Sequence, residues 1–226
     1  AHSGHSLVGS LLDAHPMMLV SNEADIFTRY YAESEAINGW GQGPIRTRDE
    51  IFDAIFSNSL SCALYTRWQH GYNYTVPHGW GGHWMPGELS VIGDKKGGTT
   101  AKILYGMKRK GTLLSRFQEF QETIDLPIHI IHVYWAKDRN FRLTDTLIKI
   151  LREGMPSSTF SASGWDNSVY TCGDDVSRQS LFLDTCNYLG VPCDDDILDK
   201  WSSMANCKNA KKHLKSEENV EEKEIE

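Results

Sequence analysis

Ala1-His2-Ser3-Gly4-His5-Ser6 runs directly into Leu7-Val8-Gly9-Ser10-Leu11-Leu12-Asp13-Ala14-His15-Pro16. Small residues and a glycine open the stretch, and Leu7, Val8, Leu11 and Leu12 recur at helical spacing before Pro16 ends it. The pattern predicts a turn feeding a helix. The first N–H groups of such a helix have no intrahelical acceptor and lie at the positive end of its dipole, which suits an anion. Ser3 and Ser6 add hydroxyl donors to the same cradle. An ordinary capped surface helix has the same appearance, and this stretch alone leaves both readings open.

Working outward, Met17 to Ser21 reads as a buried strand and Ala24 to Ile37 as helical material, followed by a loop at Gly39 to Pro44. Thr47-Arg48-Asp49-Glu50 is a capping-box pattern that opens a helix to about Tyr65. Tyr72 to Trp84 is crowded with aromatic residues, His78, His83 and glycines, so a loop or hairpin is expected there. It suits either packing over a sheet edge or one wall of an acceptor pocket. Leu89 to Gly93 is strand-like and runs into Asp94-Lys95-Lys96-Gly97-Gly98; a helix follows from Thr99, broken at Gly111 and resumed to Ile124. Ile128 to Trp135 is the strongest strand by β-branched content. Thr144 to Arg152 is helical, Gly154 to Gly164 a small-residue loop, and Val169 to Cys172 a strand. A helix carrying Val176, Leu181, Leu183 and Tyr188 ends near Gly190, and Ile197, Leu198 and Trp201 lie on a short last one. Strands alternating with helices predict an α/β domain over residues 1–207 with a mostly parallel sheet, and a charged tail, helical or disordered, over 208–226.

The 226 residues carry a formal charge of −7 and no basic stripe, which argues against a nucleic-acid surface. No run approaches a membrane span and no signal segment is visible, so the compartment, cytoplasm or Golgi lumen, stays open. Ala1 stands where a strand should meet its loop, and the first strand is expected upstream of it. Cys62, Cys172, Cys186, Cys193 and Cys207 are irregularly spaced without a Cys-x-x-Cys pair, so no zinc site is expected. The pairs His2 with His5 and His78 with His83 lack a third ligand at metal-binding spacing. Asn73-Tyr74-Thr75 is a glycosylation sequon, a triplet common by chance.

Ser3-Gly4-His5-Ser6-Leu7 followed by Leu11-Leu12-Asp13-Ala14-His15-Pro16 resembles the 5′-phosphosulfate loop and first helix of sulfotransferases, closest to the tyrosylprotein and carbohydrate branch. That branch writes the segment Arg-Ser-Gly-Thr-Thr-Leu and then Leu-Asp-Ala-His-Pro. Cys186-Asn187-Tyr188-Leu189-Gly190-Val191-Pro192-Cys193 is similar to a structural segment near the family's carboxyl end. The resemblance implies a three-layer P-loop-type fold, its central sheet flanked by helices and its first strand missing here. It also implies the co-substrate 3′-phosphoadenosine 5′-phosphosulfate, its 5′ end held by His2, Ser3, Gly4, His5, Ser6 and Leu7. Glu23 lies seven residues beyond Pro16, the spacing of the branch's catalytic base. Gly93-Asp94-Lys95 looks like the motif whose lysine reaches the transferring sulfate, with Lys96 as the register alternative. The implied acceptor is a hydroxyl on a sugar, a tyrosine or a small metabolite.

Four positions depart from the family, and His5 and Ser6, in place of its two threonines, are two of them. His2 stands where it has Arg or Lys, and Trp135 stands where the arginine that binds the 3′-phosphate belongs. Arg139-Asn140, with Thr144 or Thr146 beyond, offers replacements only in a shifted loop. These departures equally suit an inactive relative acting as a binding or scaffold protein. A nucleotide kinase fits less well, because Gly-x-x-x-x-Gly-Lys-Ser/Thr is absent.

Overall fold

The computed structural model describes residues 5–32, 43–65, 89–134, 141–166, 169 and 173–204. Helix α1 (His5–Asp13) turns back through residues 14–17 into strand β1 (Met18–Asn22), every residue of which is buried. So short a connection makes α1 antiparallel to β1 and leaves the helix amino terminus at the strand's carboxyl end. The Leu-Asp-Ala-His-Pro segment builds this corner. Asp13 Oδ1 accepts from the Val20 N–H at 2.7 Å, and His15 Nδ1 accepts from the Met17 N–H at 3.0 Å. That acceptor role puts the His15 proton on Nε2, which donates to the Pro192 carbonyl at 2.8 Å.

Helix α2 (Ile26–Tyr30) begins two residues after the expected Ala24 and ends before Tyr31, and residues 33–37 of the expected helical stretch lie outside the described residues. It begins after a left-handed residue, Asp25, and the Arg46 guanidinium takes the carbonyls of Arg29, Tyr30 and Ala32 at its far end. Helix α3 (Arg48–Tyr65) starts on the predicted capping box: the Glu50 N–H donates to Thr47 Oγ1 at 3.3 Å and the Thr47 N–H to Glu50 Oε2 at 3.0 Å. Strand β2 (Val91–Lys95) pairs parallel with β1 and runs two residues past the expected Gly93. The ladder carries it on, the Glu23 N–H donating to the Lys95 carbonyl at 2.9 Å. Helices α4 (Thr99–Arg109) and α5 (Leu113–Ile124) are separated by Gly111 at φ 71°.

Strand β3 (Ile128–Tyr134), helix α6 (Phe141–Gly154) and strand β4 (Phe160–Asp166) form the second parallel unit. The expected loop at Gly154 to Gly164 is corrected in its second half, which is strand. Ser161, Ala162 and Gly164 favour no strand by themselves, but β3 offers a complete ladder and the buried Phe160 and Trp165 anchor the segment. Val169, expected in a strand, is helical instead, and its carbonyl accepts from the Gly173 N–H at 2.8 Å. Helix α7 (Asp175–Leu189) ends at Gly190, φ 68°, and helix α8 (Asp195–Met204) closes the described chain. A Cys186–Cys193 disulfide, Cα atoms 5.8 Å apart, holds the intervening loop beneath His15.

The helices cover the strand pairs on both sides. On one side Val8, Leu11 and Leu12 of α1, Phe182 of α7 and Trp201 of α8 pack with Val20, Val91, Ile131, Val133 and Trp165. On the other, Ile26, Ile51, Ile55 and Phe120 pack with Leu19, Ile92 and Ile128. A third cluster joins α4, α5 and α6 around Phe117, Leu147 and Phe160. Both pairs therefore share a core on each face, in an α/β architecture of short parallel sheets flanked by helices. The outer edge of β1 is closed by side chains, the Asn22 N–H donating to Asn58 Oδ1 at 2.9 Å much as Val20 donates to Asp13. Among the described residues no helix is long and apolar enough to cross a membrane.

Candidate functional site

Alternation along β2 sorts its polar residues. Val91 packs on the α1 side and Ile92 on the other, so Gly93 and Lys95 face α1 while Asp94 faces away. Register partners in a parallel pair share a face, which puts Asn22 beside Lys95 and Ser21 beside Asp94. The Lys95 stem lies hard against α1: a Cβ added at Gly9 would stand 2.9 Å from both Lys95 Cβ and Cγ. From Gly9 the first turn of α1, at His5, lies ~6 Å further along the axis, beyond the strand ends.

Glu23 leaves β1 at φ 64° and folds its carboxylate back toward β2. Lys95 Nζ lies 3.1 Å from Glu23 Oε1, and Lys96 Nζ 3.5 Å from Glu23 Oε2. Lys96 also meets Asp25 Oδ1 at 2.5 Å. Lys95 is the buried member, its side chain 6% exposed against 16% for Lys96. Burial pushes the Glu23 carboxyl up, but the two ammoniums outweigh it and hold it below the ordinary range. Burial lowers Lys95 despite the opposing pull of Glu23 and Asp94. For Lys96 burial also pulls down, but bonding to Asp25 and the charge of Glu23 leave it raised.

Behind this cluster the Asp94 carboxylate accepts from Ser21 Oγ at 2.8 Å, from the Ala24 N–H at 2.9 Å and from the Ile26 N–H at 3.2 Å. Burial raises it to about 6 even against those hydrogen bonds. On the α1 side the buried Asn22 Oδ1 has no hydrogen-bond partner among the described residues.

The structure thus brings together Glu23, Lys95 and the helix at whose start the anion cradle was expected. His5 and Ser6 lie within the first turn of α1 rather than in the loop before it, and Leu7 packs against the core, so Leu7 offers a ligand its backbone alone. His2, Ser3, Gly4, Arg139, Trp135 and the aromatic segment Tyr72 to Trp84 lie outside the described residues. Four neighbours were not singled out from the sequence: Gly9, Ser21, Asp25 and Asp94. Gly9 had a signal, since a glycine inside a helical repeat marks close approach. Strand alternation around Lys95 gives the face of Asp94 but not its target, because the turn it grips is set by tertiary packing. Chemically, an acid and an amine converge at the carboxyl ends of two parallel strands, where open α/β sheets place ligands. Among the described residues no three His, Cys, Asp or Glu side chains are grouped to hold a metal ion. The chain matches no family model, no curated protein and no solved structure.

Proposed function

We propose that this chain transfers a sulfuryl group from 3′-phosphoadenosine 5′-phosphosulfate to a hydroxyl acceptor. The single observation that carries the reading is the 3.1 Å contact between Glu23 and Lys95 beside α1. In the step, the acceptor oxygen forms a new S–O bond while the bond from sulfur to the phosphate bridging oxygen breaks. Glu23 takes the acceptor proton, and Lys95 stabilises the charge that grows on the bridging oxygen. The first turn of α1, with Ser3 to Ser6, holds the 5′-phosphate through unpaired N–H groups. Lys95 rather than Lys96 serves the donor, since its stem runs along α1 while Lys96 is bound to Asp25. The acceptor is a sugar, tyrosine or small-metabolite hydroxyl.

The finer fold belongs to the same proposal. The β1 edge is closed by Asp13 and Asn58, so a strand seated between β2 and β3 would join the two pairs into one P-loop-type layer.

Thermal shift and calorimetry with 3′-phosphoadenosine 5′-phosphate test the site. Binding at 100 times Kd raises native stability by about 2.7 kcal/mol, and an unmoved melting temperature at millimolar ligand rejects the reading. Sulfuryl transfer to a tyrosine peptide and to a sugar then separates acceptors. One further reading, an inactive relative acting as a binding protein, is favoured by Trp135 and His2 in place of the family's basic residues. Nucleotide binding without transfer would establish it.

A further inference from the structure

The Glu23 carboxylate reaches Lys95 from a strained backbone. Glu23 and Asp25 both lie in the left-handed region, at φ 64° and 60°, although neither is glycine. Such a residue persists only where its surroundings over-determine it. Asp94 supplies that determination from the neighbouring strand. Its Oδ1 takes Ser21 Oγ and the Ala24 N–H, and its Oδ2 takes the Ile26 N–H. The two backbone donors bracket Asp25, with Ala24 between the strained residues and Ile26 just after them. Asp94 is one residue before Lys95, so a single β2 dipeptide fixes both ends of the ion pair: Lys95 meets the carboxylate on one face and Asp94 ties down its backbone from the other.

We infer that Asp94 is the positioning residue for Glu23, holding the 23–26 turn in the shape that keeps the carboxylate against Lys95. Its service to catalysis rests on the function proposed above; the geometry it concerns does not. The charged groups around the turn are Arg29 and Asp25, which face Asp94, and Lys95 and Lys96, which face Glu23. Asp94, raised to about 6 by burial, is largely protonated where Glu23 titrates, so Asp94→Asn changes little charge there, and what it does remove acts in the opposite direction to loss of the grip. Removing a nearby negative charge alone lowers the midpoint, whereas withdrawing Glu23 from the lysines raises it.

The test is a carboxyl-carbon NMR titration of glutamate-labelled protein, the Glu23 signal being the one missing in Glu23→Gln. In Asp94→Asn the Glu23 midpoint rises by about half a pH unit or more, a direction charge removal cannot give. Ser21→Ala, which removes one donor and leaves the Asp94 charge, gives a smaller rise and decides the matter if Asp94→Asn does not fold. A Glu23 midpoint that is unchanged or lowered in folded Asp94→Asn, or unchanged in Ser21→Ala where that variant alone can be read, overturns the inference. In active wild-type protein Asp94→Asn lowers kcat about tenfold with donor KM unchanged. Failure of the wild type to bind 3′-phosphoadenosine 5′-phosphate sinks the proposed function and leaves this titration as decisive as before.

Discussion

The two parallel strand pairs join their polar residues in different ways. In β1–β2 they gather at the carboxyl ends, as Ser21, Asn22, Glu23, Asp94 and Lys95. In β3–β4 one such group lies near the amino ends, where His129 Nδ1 stands 2.8 Å from Ser161 Oγ and Ser161 Oγ 3.0 Å from Tyr188 Oη. A serine against a histidine looks like a nucleophile with its base. The direction of the protons says otherwise. Tyr188 donates to the Ile130 carbonyl at 3.3 Å and Ser161 donates to Tyr188, so His129 must itself donate to Ser161. The serine proton is already committed, and partial desolvation of the His129 ring holds its pKa below the ordinary value. The second region is thus a closed chain of neutral bonds ending on a carbonyl. The first has charges in contact and two left-handed residues, and among the described residues no positive φ falls within β3–β4. Strain and opposed charge, rather than residue type, separate a candidate site from a fastening.

The largest effects fall on the strained side. Glu23→Gln or Lys95→Ala lowers sulfuryl transfer about 10²- to 10³-fold, as loss of a general base or of one charge stabiliser does elsewhere. Ser161→Ala and His129→Ala leave transfer within about twofold in the same assay. Activity lost through Ser161 and kept without Glu23 would invert the comparison. Next comes Gly9→Ala. Alanine in a helix gains up to about 1 kcal/mol over glycine, but overpacking costs roughly 1–3 kcal/mol. The contact at 2.9 Å is with Lys95 Cβ and Cγ, which cannot swing aside as a chain end can. A net loss of about 1 kcal/mol in urea unfolding is expected, with transfer falling because the ammonium is displaced.

Much of this frame was legible in the sequence because its signals are local. The capping box at Thr47 and Glu50, the break at Gly111 and the left-handed end at Gly190 all stand where side-chain chemistry put them. Glu23 and Lys95 were legible as candidates through spacing and strand ends. Strand β4 was not, since Ser161, Ala162 and Gly164 take strand form from the partner they join. Nor was Asp94, because its three donors come from the end of β1 and the turn after it, 68 to 73 residues away. The end of α2 at Tyr30 was not legible for the same reason: Arg46, far along the chain, takes its carbonyl.

The pH dependence of stability sharpens the comparison more gently. The Asp94 carboxyl, ordinarily near 3.8, is raised to about 6 by burial. Between those values the native state holds a proton that the unfolded chain has lost. Its contribution is therefore full below about pH 4 and is lost as pH rises through about 6. Melting temperatures of wild type and Asp94→Asn, compared from pH 4 to 7, should show the wild type losing ground across that window. A difference independent of pH would place the Asp94 charge in water and remove the contrast with the β3–β4 side.

The smallest effect is expected where the bonds are closed. Ser161→Ala takes out the middle of the chain from His129 to Ile130, yet Tyr188 still donates to its carbonyl and both rings keep their edge-to-face contact, centroids 5.3 Å apart. Ser161 is half-buried and His129 exposed, so water replaces the lost hydroxyl and the cost is one net hydrogen bond, about 0.5–1.5 kcal/mol. For a chain of this size that lowers Tm by roughly 2–4 °C per kcal/mol. Calorimetric melting of Ser161→Ala checks it. A loss several times larger would mean that the neutral chain, like the charged turn at the other end, holds a strained arrangement. The backbone around it is regular strand, and that regularity is the reason to expect a small number.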